Sequence, residues 1–237
     1  MSEAQSLKGR TVLLTGATGG IGVALGRRLA DCGTRLLLVG RNRPRLLELQ
    51  CELGDAVVTT IAGDLTNQAD LDGIIRDAHA AGDIDILINN AGVFSSASIF
   101  ETSDADFESS LTVNLVAPFK LAKAFARGMV RRGWGRIINI GSSSSYSGFA
   151  NGTAYCSAKH GLLGLSRTLH AELGPDGVRV CCVSPGSVKT EMGRSVPNQD
   201  FDTFIDPQDV ADAVVFVLGQ DGNAAIDEIQ IKRVSPR

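Results

Sequence analysis

Seven short runs rich in Val, Ile and Leu recur along the chain, at residues 11–15, 35–39, 56–61, 85–89, 136–140, 178–183 and 228–232. Between them lie segments whose apolar residues return at helical spacing, such as Val23, Leu25, Leu29 and Ala30, or Leu162, Leu163, Leu165, Leu169 and Leu173. Strands separated by helices run parallel, and strands this continuously apolar are covered on both faces. The pattern predicts an α/β fold: a three-layer, doubly wound sandwich around a seven-stranded parallel sheet. Seven strands with their crossovers use nearly all of the 237 residues, so residues 1–237 are expected to form a single domain with no separate substrate domain.

Composition excludes several alternatives. With 21% charged and 43% hydrophobic residues the chain has the make-up of a globular protein rather than a disordered or fibrous one. The longest apolar stretch near the C-terminus, 213–218, is far short of the ~18 residues of a membrane span. Glu3 and the short Val12 to Leu14 run do not make a signal peptide, so a cytoplasmic location is expected. Five cysteines without CxxC spacing indicate neither a disulfide framework nor a zinc site, and no metal is expected. The net charge of −3 argues against nucleic acid as a partner. It conceals an asymmetry: six arginines and one acid lie between Arg27 and Arg45, whereas residues 195–231 carry eight acids and no Lys or Arg.

In open α/β sheets ligands bind beyond the C-terminal strand ends, so the residues that follow each strand are informative. After the first comes Thr15-Gly16-Ala17-Thr18-Gly19-Gly20-Ile21-Gly22, opening a helix. Glycines admit a ligand close to the backbone and a helix N-terminus favours phosphate, although a tight structural turn has the same composition. The strict GxGxxG spacing is not met. After the second strand no acid lies between Asp31 and Glu48, where a carboxylate would hold a ribose 2′-hydroxyl; Arg41 stands there instead, which favours a 2′-phosphate and hence NADP(H) over NAD(H). Arg43 and Arg45 read as solvated residues of a helix start. After the third strand, Asp64 either accepts from an exocyclic amine or caps the next helix. After the fourth, Asn90-Ala91-Gly92 allows close backbone approach or is simply a turn.

Tyr155 and Lys159 fall at i and i+4 on one helix face. Moving a phenol from pKa near 10 to neutrality takes roughly 4 kcal/mol, and an adjacent ammonium supplies stabilisation of that kind. Ser142, just past the fifth strand, brings a hydroxyl toward the same mouth, and the polar run 142–145 fits a wet rim.

These residues together resemble the single-domain short-chain dehydrogenase/reductases, whose fold is a Rossmann sandwich. The likeness is carried by 15–22, 89–92, Ser142, Tyr155-x-x-x-Lys159 and Pro185-Gly186-Ser187-Val188-Lys189-Thr190. It implies an oxidoreductase moving hydride between a nicotinamide cofactor and a carbonyl or secondary alcohol. Tyr155 would be the general acid and base, Ser142 would polarise the carbonyl, and Lys159 would tune the tyrosine and hold the nicotinamide ribose. Asn114, which by itself reads as a helix irregularity, would complete a catalytic tetrad. Gly16, Thr18, Gly20, Ile21 and Gly22 would line the pyrophosphate, Asp64 and Leu65 the adenine, and Asn90, Ala91 and Gly92 the adenosine side. Pro185, Gly186, Val188 and Thr190 would hold the carboxamide.

Substrate choice is expected to rest on the short loop 191–206, with Phe94, Tyr146, Phe149 and Met192 either lining the site or packing elsewhere. Lys120, Lys123, Arg127 and Arg131, followed by Arg132 and Arg136, form a basic stripe. It reads as a solvated helix face or as a dock for an acidic acyl carrier protein, the partner of the 3-oxoacyl reductases that the chain resembles. Pairing of the helices near 104–132 and 153–173 would give a homodimer or homotetramer.

Overall fold

The computed structural model describes residues 6–196 and 199–234. The expectations touching Glu3, the middle of the 191–206 loop and the tail at 235–237 fall outside them. Seven parallel strands, β1 (Thr11–Thr15), β2 (Arg35–Gly40), β3 (Val57–Ala62), β4 (Ile86–Asn89), β5 (Gly135–Ile140), β6 (Val178–Pro185) and β7 (Glu228–Ile231), lie in the order β3-β2-β1-β4-β5-β6-β7. The doubly wound parallel sheet expected from the pattern is therefore present.

Successive strand residues point to opposite faces, and both faces are packed. Val12 and Leu14 join Leu36 and Leu38 in a core with α1 (Gly20–Asp31) and α8 (Pro207–Leu218). Leu13 and Leu37 point the other way, into a core with α3 (Gln68–Ala81) and the long helix α5 (Ala117–Arg132). Every residue of β1 is buried, which is why these strands show no polar alternation. Helices α2 (Arg43–Leu53), α4 (Asp104–Leu111), α6 (Thr153–Leu173) and the short α7 (Glu191–Arg194) complete the chain among the described residues. No helix among them is long and apolar enough to cross a membrane.

The strand order reverses between β1 and β4, and at that switch point the two winding directions leave a crevice at the carboxyl ends. The helix expected over 104–132 is interrupted: residues Thr112–Val116 form a π-helical turn between α4 and α5, with Asn114 buried inside it. Single π turns inside α-helices occur frequently at functional sites. Arg136, read as the end of the basic stripe, is instead 3% exposed at the start of β5. It lies over Trp134 and pairs with Asp221 at 2.8 Å.

Candidate active site

The crevice is a single cleft of about 1680 Å3, lined by every residue assigned above to catalysis or to cofactor binding. At one end the chain leaves β1 and turns at Gly16, whose φ of +65° is a conformation that side-chain-bearing residues rarely adopt. A Cβ at Gly16 would lie 2.8 Å from the backbone of Ala91. One at Gly20 would lie 2.6 Å from the Thr190 methyl, and one at Gly22 would run into the Gly16 carbonyl. At Gly16 and Gly20 the loop is therefore held against the segments that follow β4 and β6, and at Gly22 against itself, with no room there for a side chain. Thr15 organises the contact: its buried hydroxyl accepts from the Asn90 and Ala91 N–H groups, both at 3.1 Å. The Asn90 amide donates back to the Thr15 and Gly16 carbonyls at 3.0 Å. Asn90 thus fastens the glycine loop, while α1 begins with no side-chain cap, leaving its first N–H groups directed to the cleft.

Beyond β2, the Arg41 side chain is 72% exposed and stands 3.9 Å from Asp64. The next helix is capped not by Asp64 but by Asn67, whose side chain accepts from the Ala69 and Asp70 N–H groups. Asp64 instead closes a small turn, accepting from the Thr66 N–H and hydroxyl at 2.8 Å. The Thr66 bonds, with a smaller contribution from Arg41, hold its carboxyl below the usual carboxylate range. Arg43 opens α2 and also borders the cleft, and Arg45 reaches Glu191 across the rim at 4.0 Å.

At the other end stand Ser142, Tyr155 and Lys159. Ser142 leaves β5 in extended conformation, and its hydroxyl accepts from the Ser144 N–H at 3.1 Å while the Ser145 hydroxyl accepts from the Ser142 N–H at 3.2 Å. This box fixes the serine where the strand ends. Tyr155 and Lys159 sit one turn apart near the start of α6, with the ammonium 5.7 Å from the phenol ring centroid. Lys159 is buried and donates to the Ile140 carbonyl at 2.8 Å. Burial without a facing carboxylate pulls its pKa down to about 8. Burial also raises the Tyr155 phenol, against the opposing pull of a hydrogen bond from Ser142. Phe94 stands edge-on to Tyr155 with ring centroids 5.1 Å apart, and Phe149 lies beyond Phe94 at 6.4 Å.

Asn114 reaches the same end from the π turn. Its amide donates to the Val93 carbonyl at 3.0 Å and its oxygen accepts from the Val93 N–H at 3.3 Å, as a strand neighbour would. A Cβ on Gly92 would lie 3.0 Å from that oxygen and 3.9 Å from the Lys159 nitrogen. The π turn therefore turns Asn114 inward to pin the loop after β4 beside Lys159.

Some expected residues are elsewhere. Tyr146 is not in the cleft: its hydroxyl is bound by Glu228 at 2.9 Å. Of the serine run, Ser142, Ser143 and Ser144 line the cleft and Ser143 is exposed, as a rim requires, while Ser144 and Ser145 are buried in the packed turn. In the stripe, Lys120 bonds Gln68 and Arg132 pairs with Asp83 at 2.8 Å, leaving Lys123, Arg127 and Arg131 exposed. Two features went unread. Arg194 lies at the cleft over Phe201, 4.1 Å from the ring centroid. Behind the site, Asn89 donates to Asn139 and Asn139 to Ser166, each at 2.8 Å. An Asn inside an otherwise apolar strand was the available signal for that buried row.

A glycine-lined helix start at one end of a switch-point cleft and a serine, tyrosine and lysine at the other define a nucleotide-dependent oxidoreductase of the doubly wound class. The family model described as short chain dehydrogenase matches residues 10–200, and the chain belongs to that family. It is 38% identical over 187 residues to Nodulation protein G of Rhizobium sp. (strain N33), covering 78% of this chain and 76% of that protein. It is 33% identical over 220 residues to the 3-oxoacyl-(acyl-carrier-protein) reductase FabG of Rickettsia felis, covering 89% and 90%. Among solved structures, a metagenomic short-chain oxidoreductase in complex with NADP superposes with a TM-score of 0.85 at 32% identity, over 98% of this chain and all of the other.

Proposed function

We propose that the protein is an NADPH-dependent reductase of a ketone or 3-oxoacyl substrate. The observation that carries this reading is the grouping of Ser142, Tyr155 and Lys159 at one end of the cleft whose other end is a glycine-lined cradle beside Arg41. The cradle fits a pyrophosphate, because glycines packed tightly against the protein and the uncapped N–H groups that start α1 leave bare backbone at the cleft. Gly16, Thr18, Gly20, Ile21 and Gly22 would hold it, with Asp64 and Leu65 at the adenine, Asn90 to Gly92 beside the adenosine, and Pro185, Gly186, Val188 and Thr190 at the carboxamide. When bound, the nicotinamide supplies the hydride.

The chain's own contribution is orientation and a proton. Ser142 donates a hydrogen bond to the substrate oxygen and fixes its distance from Tyr155. The Tyr155 hydroxyl gives its proton to that oxygen as charge develops. Lys159 holds ribose hydroxyls and places a positive charge beside the phenolate left after transfer. Phe94, Phe149, Met192 and Phe201 give the substrate half an apolar lining.

Kinetics with a panel of ketones and 3-oxoacyl thioesters, following loss of reduced nicotinamide, tests the reading. Tyr155→Phe should lose turnover by at least 100-fold with NADPH affinity retained; near-parental turnover would sink the assignment. Fluorescence titration should show NADPH binding at least tenfold tighter than NADH, with Arg41→Ala removing the difference, since a charge-assisted contact contributes roughly 1.5–3 kcal/mol. Equal affinities in the parent would refute the NADP preference. An acyl carrier as partner is supported by the naming of relatives and by exposed Lys123, Arg127 and Arg131. Reversing the charge at Arg127 and Arg131 should then slow reduction of carrier-bound but not free thioester. Exposed Val116 and Phe119 at the start of α5 support a homo-oligomer.

A further inference from the structure

Glu228 lies on β7, the edge strand, and its carboxylate joins two elements that carry the catalytic groups. Its Oε2 accepts from the Tyr146 hydroxyl at 2.9 Å. Its two oxygens also accept from Arg167, Nε at 2.5 Å and Nη2 at 3.2 Å. Tyr146 ends the serine turn that begins at Ser142, and Arg167 lies two helical turns beyond Lys159 on α6. At the near end the turn and the helix are already tied by the bond from Lys159 to the Ile140 carbonyl. Glu228 supplies the second tie, some distance from the first, so that the serine turn cannot pivot about the end of β5 relative to α6.

We propose that Glu228, through Tyr146 and Arg167, is a positioning residue that sets the separation of Ser142 from Tyr155. The proposal rests on the functional reading above. The Glu228 side chain is 23% exposed, so its bonds are partly shielded from water. An exposed pair of the same geometry, Arg27 with Glu52, joins α1 to α2 outside the cleft and serves as an internal control. A misplacement of reacting groups on the order of 1 Å costs up to roughly 100-fold in rate, and a partial loosening is expected to cost about tenfold.

The test compares Glu228→Gln, Tyr146→Phe, the double variant and Glu52→Gln in steady-state kinetics, with hydrogen exchange of the 141–147 amides measured on the same proteins. In the first two, kcat is expected to fall about tenfold with KM for NADPH within twofold of the parent, and the 141–147 amides to exchange faster. The double variant should be no slower than either single one, and Glu52→Gln should match the parent in both measurements. Arg167→Lys, which keeps the charge but not the two-point contact, should give an intermediate kcat. Unchanged kcat in Glu228→Gln and Tyr146→Phe, in an enzyme that Tyr155→Phe inactivates, would overturn the proposal and leave the functional reading standing. So would additive losses in the double variant, or unchanged exchange at 141–147. Full turnover by Tyr155→Phe would overturn the proposal through the functional reading rather than through the clamp.

Discussion

Replacing Lys159 by methionine should make the cofactor-free protein more stable while removing its activity. Lys159 is 5% exposed, faces no carboxylate and makes one hydrogen bond, to the Ile140 carbonyl at 2.8 Å. A pKa held at about 8 against an ordinary value of 10.5 corresponds to roughly 3 kcal/mol of unfavourable burial of the charge at neutral pH. Leaving the Ile140 carbonyl without its donor returns about 1 kcal/mol. The net gain for Lys159→Met, whose side chain is of similar length, is then about 2 kcal/mol. The sign with pH is fixed by linkage. The folded pKa lies below the unfolded one, so between pH 8 and 10.5 the unfolded chain binds more protons and the parent gains stability as pH rises. Below pH 8 the cost is fully present; above 10.5 it is gone. Urea unfolding of both proteins from pH 7 to 10 should therefore show methionine ahead by about 2 kcal/mol at pH 7 and the lead shrinking toward pH 10. A methionine variant less stable than the parent at pH 7, or a difference that does not change with pH, would show that the buried ammonium is not destabilising.

Three further outcomes follow from named contacts. Asn114→Ala removes both bonds to Val93 and should cost on the order of 2 kcal/mol in stability, with a loss of kcat larger than any change in NADPH affinity, because the freed loop lies beside Lys159; calorimetry and kinetics on one preparation separate the two. Gly20→Ala should weaken NADPH binding, since its Cβ would meet the Thr190 methyl at 2.6 Å, and Thr190→Ser, which deletes that methyl, should restore part of it in a titration. Arg136→Met should lower the melting temperature because Asp221 loses the guanidinium that donates to it at 2.8 Å, while activity per folded molecule stays unchanged.

The strands and the cleft were legible because both depend on local rules. Burial on two faces produces an unbroken apolar run, and a ligand placed at carboxyl strand ends tells the reader which loop residues to examine. Glycines whose Cβ would collide with backbone also announce themselves, since nothing else fits at Gly16 or Gly22. What stayed hidden is contact between residues far apart in sequence. Tyr146 has the aromatic body of a substrate-lining residue, and only β7, 82 residues later, reveals that its hydroxyl is held elsewhere. Arg136 looks like one more cation after Arg131 and Arg132, but the helix ends at Gly133 in a left-handed cap, and the next residues enter the sheet. That cap changes the periodicity from 3.6 to 2, so a stripe drawn across it joins residues that share no face. Asn114 is the intermediate case. A polar residue amid apolar helical neighbours signals an irregularity, and the π turn is that irregularity, yet besides Ser110 of the preceding helical turn Asn114 bonds the Val93 backbone, which lies outside the helix. Asn114 is thus a device for bringing one loop to the lysine, and its importance should be measured by how far that loop moves when the amide is removed.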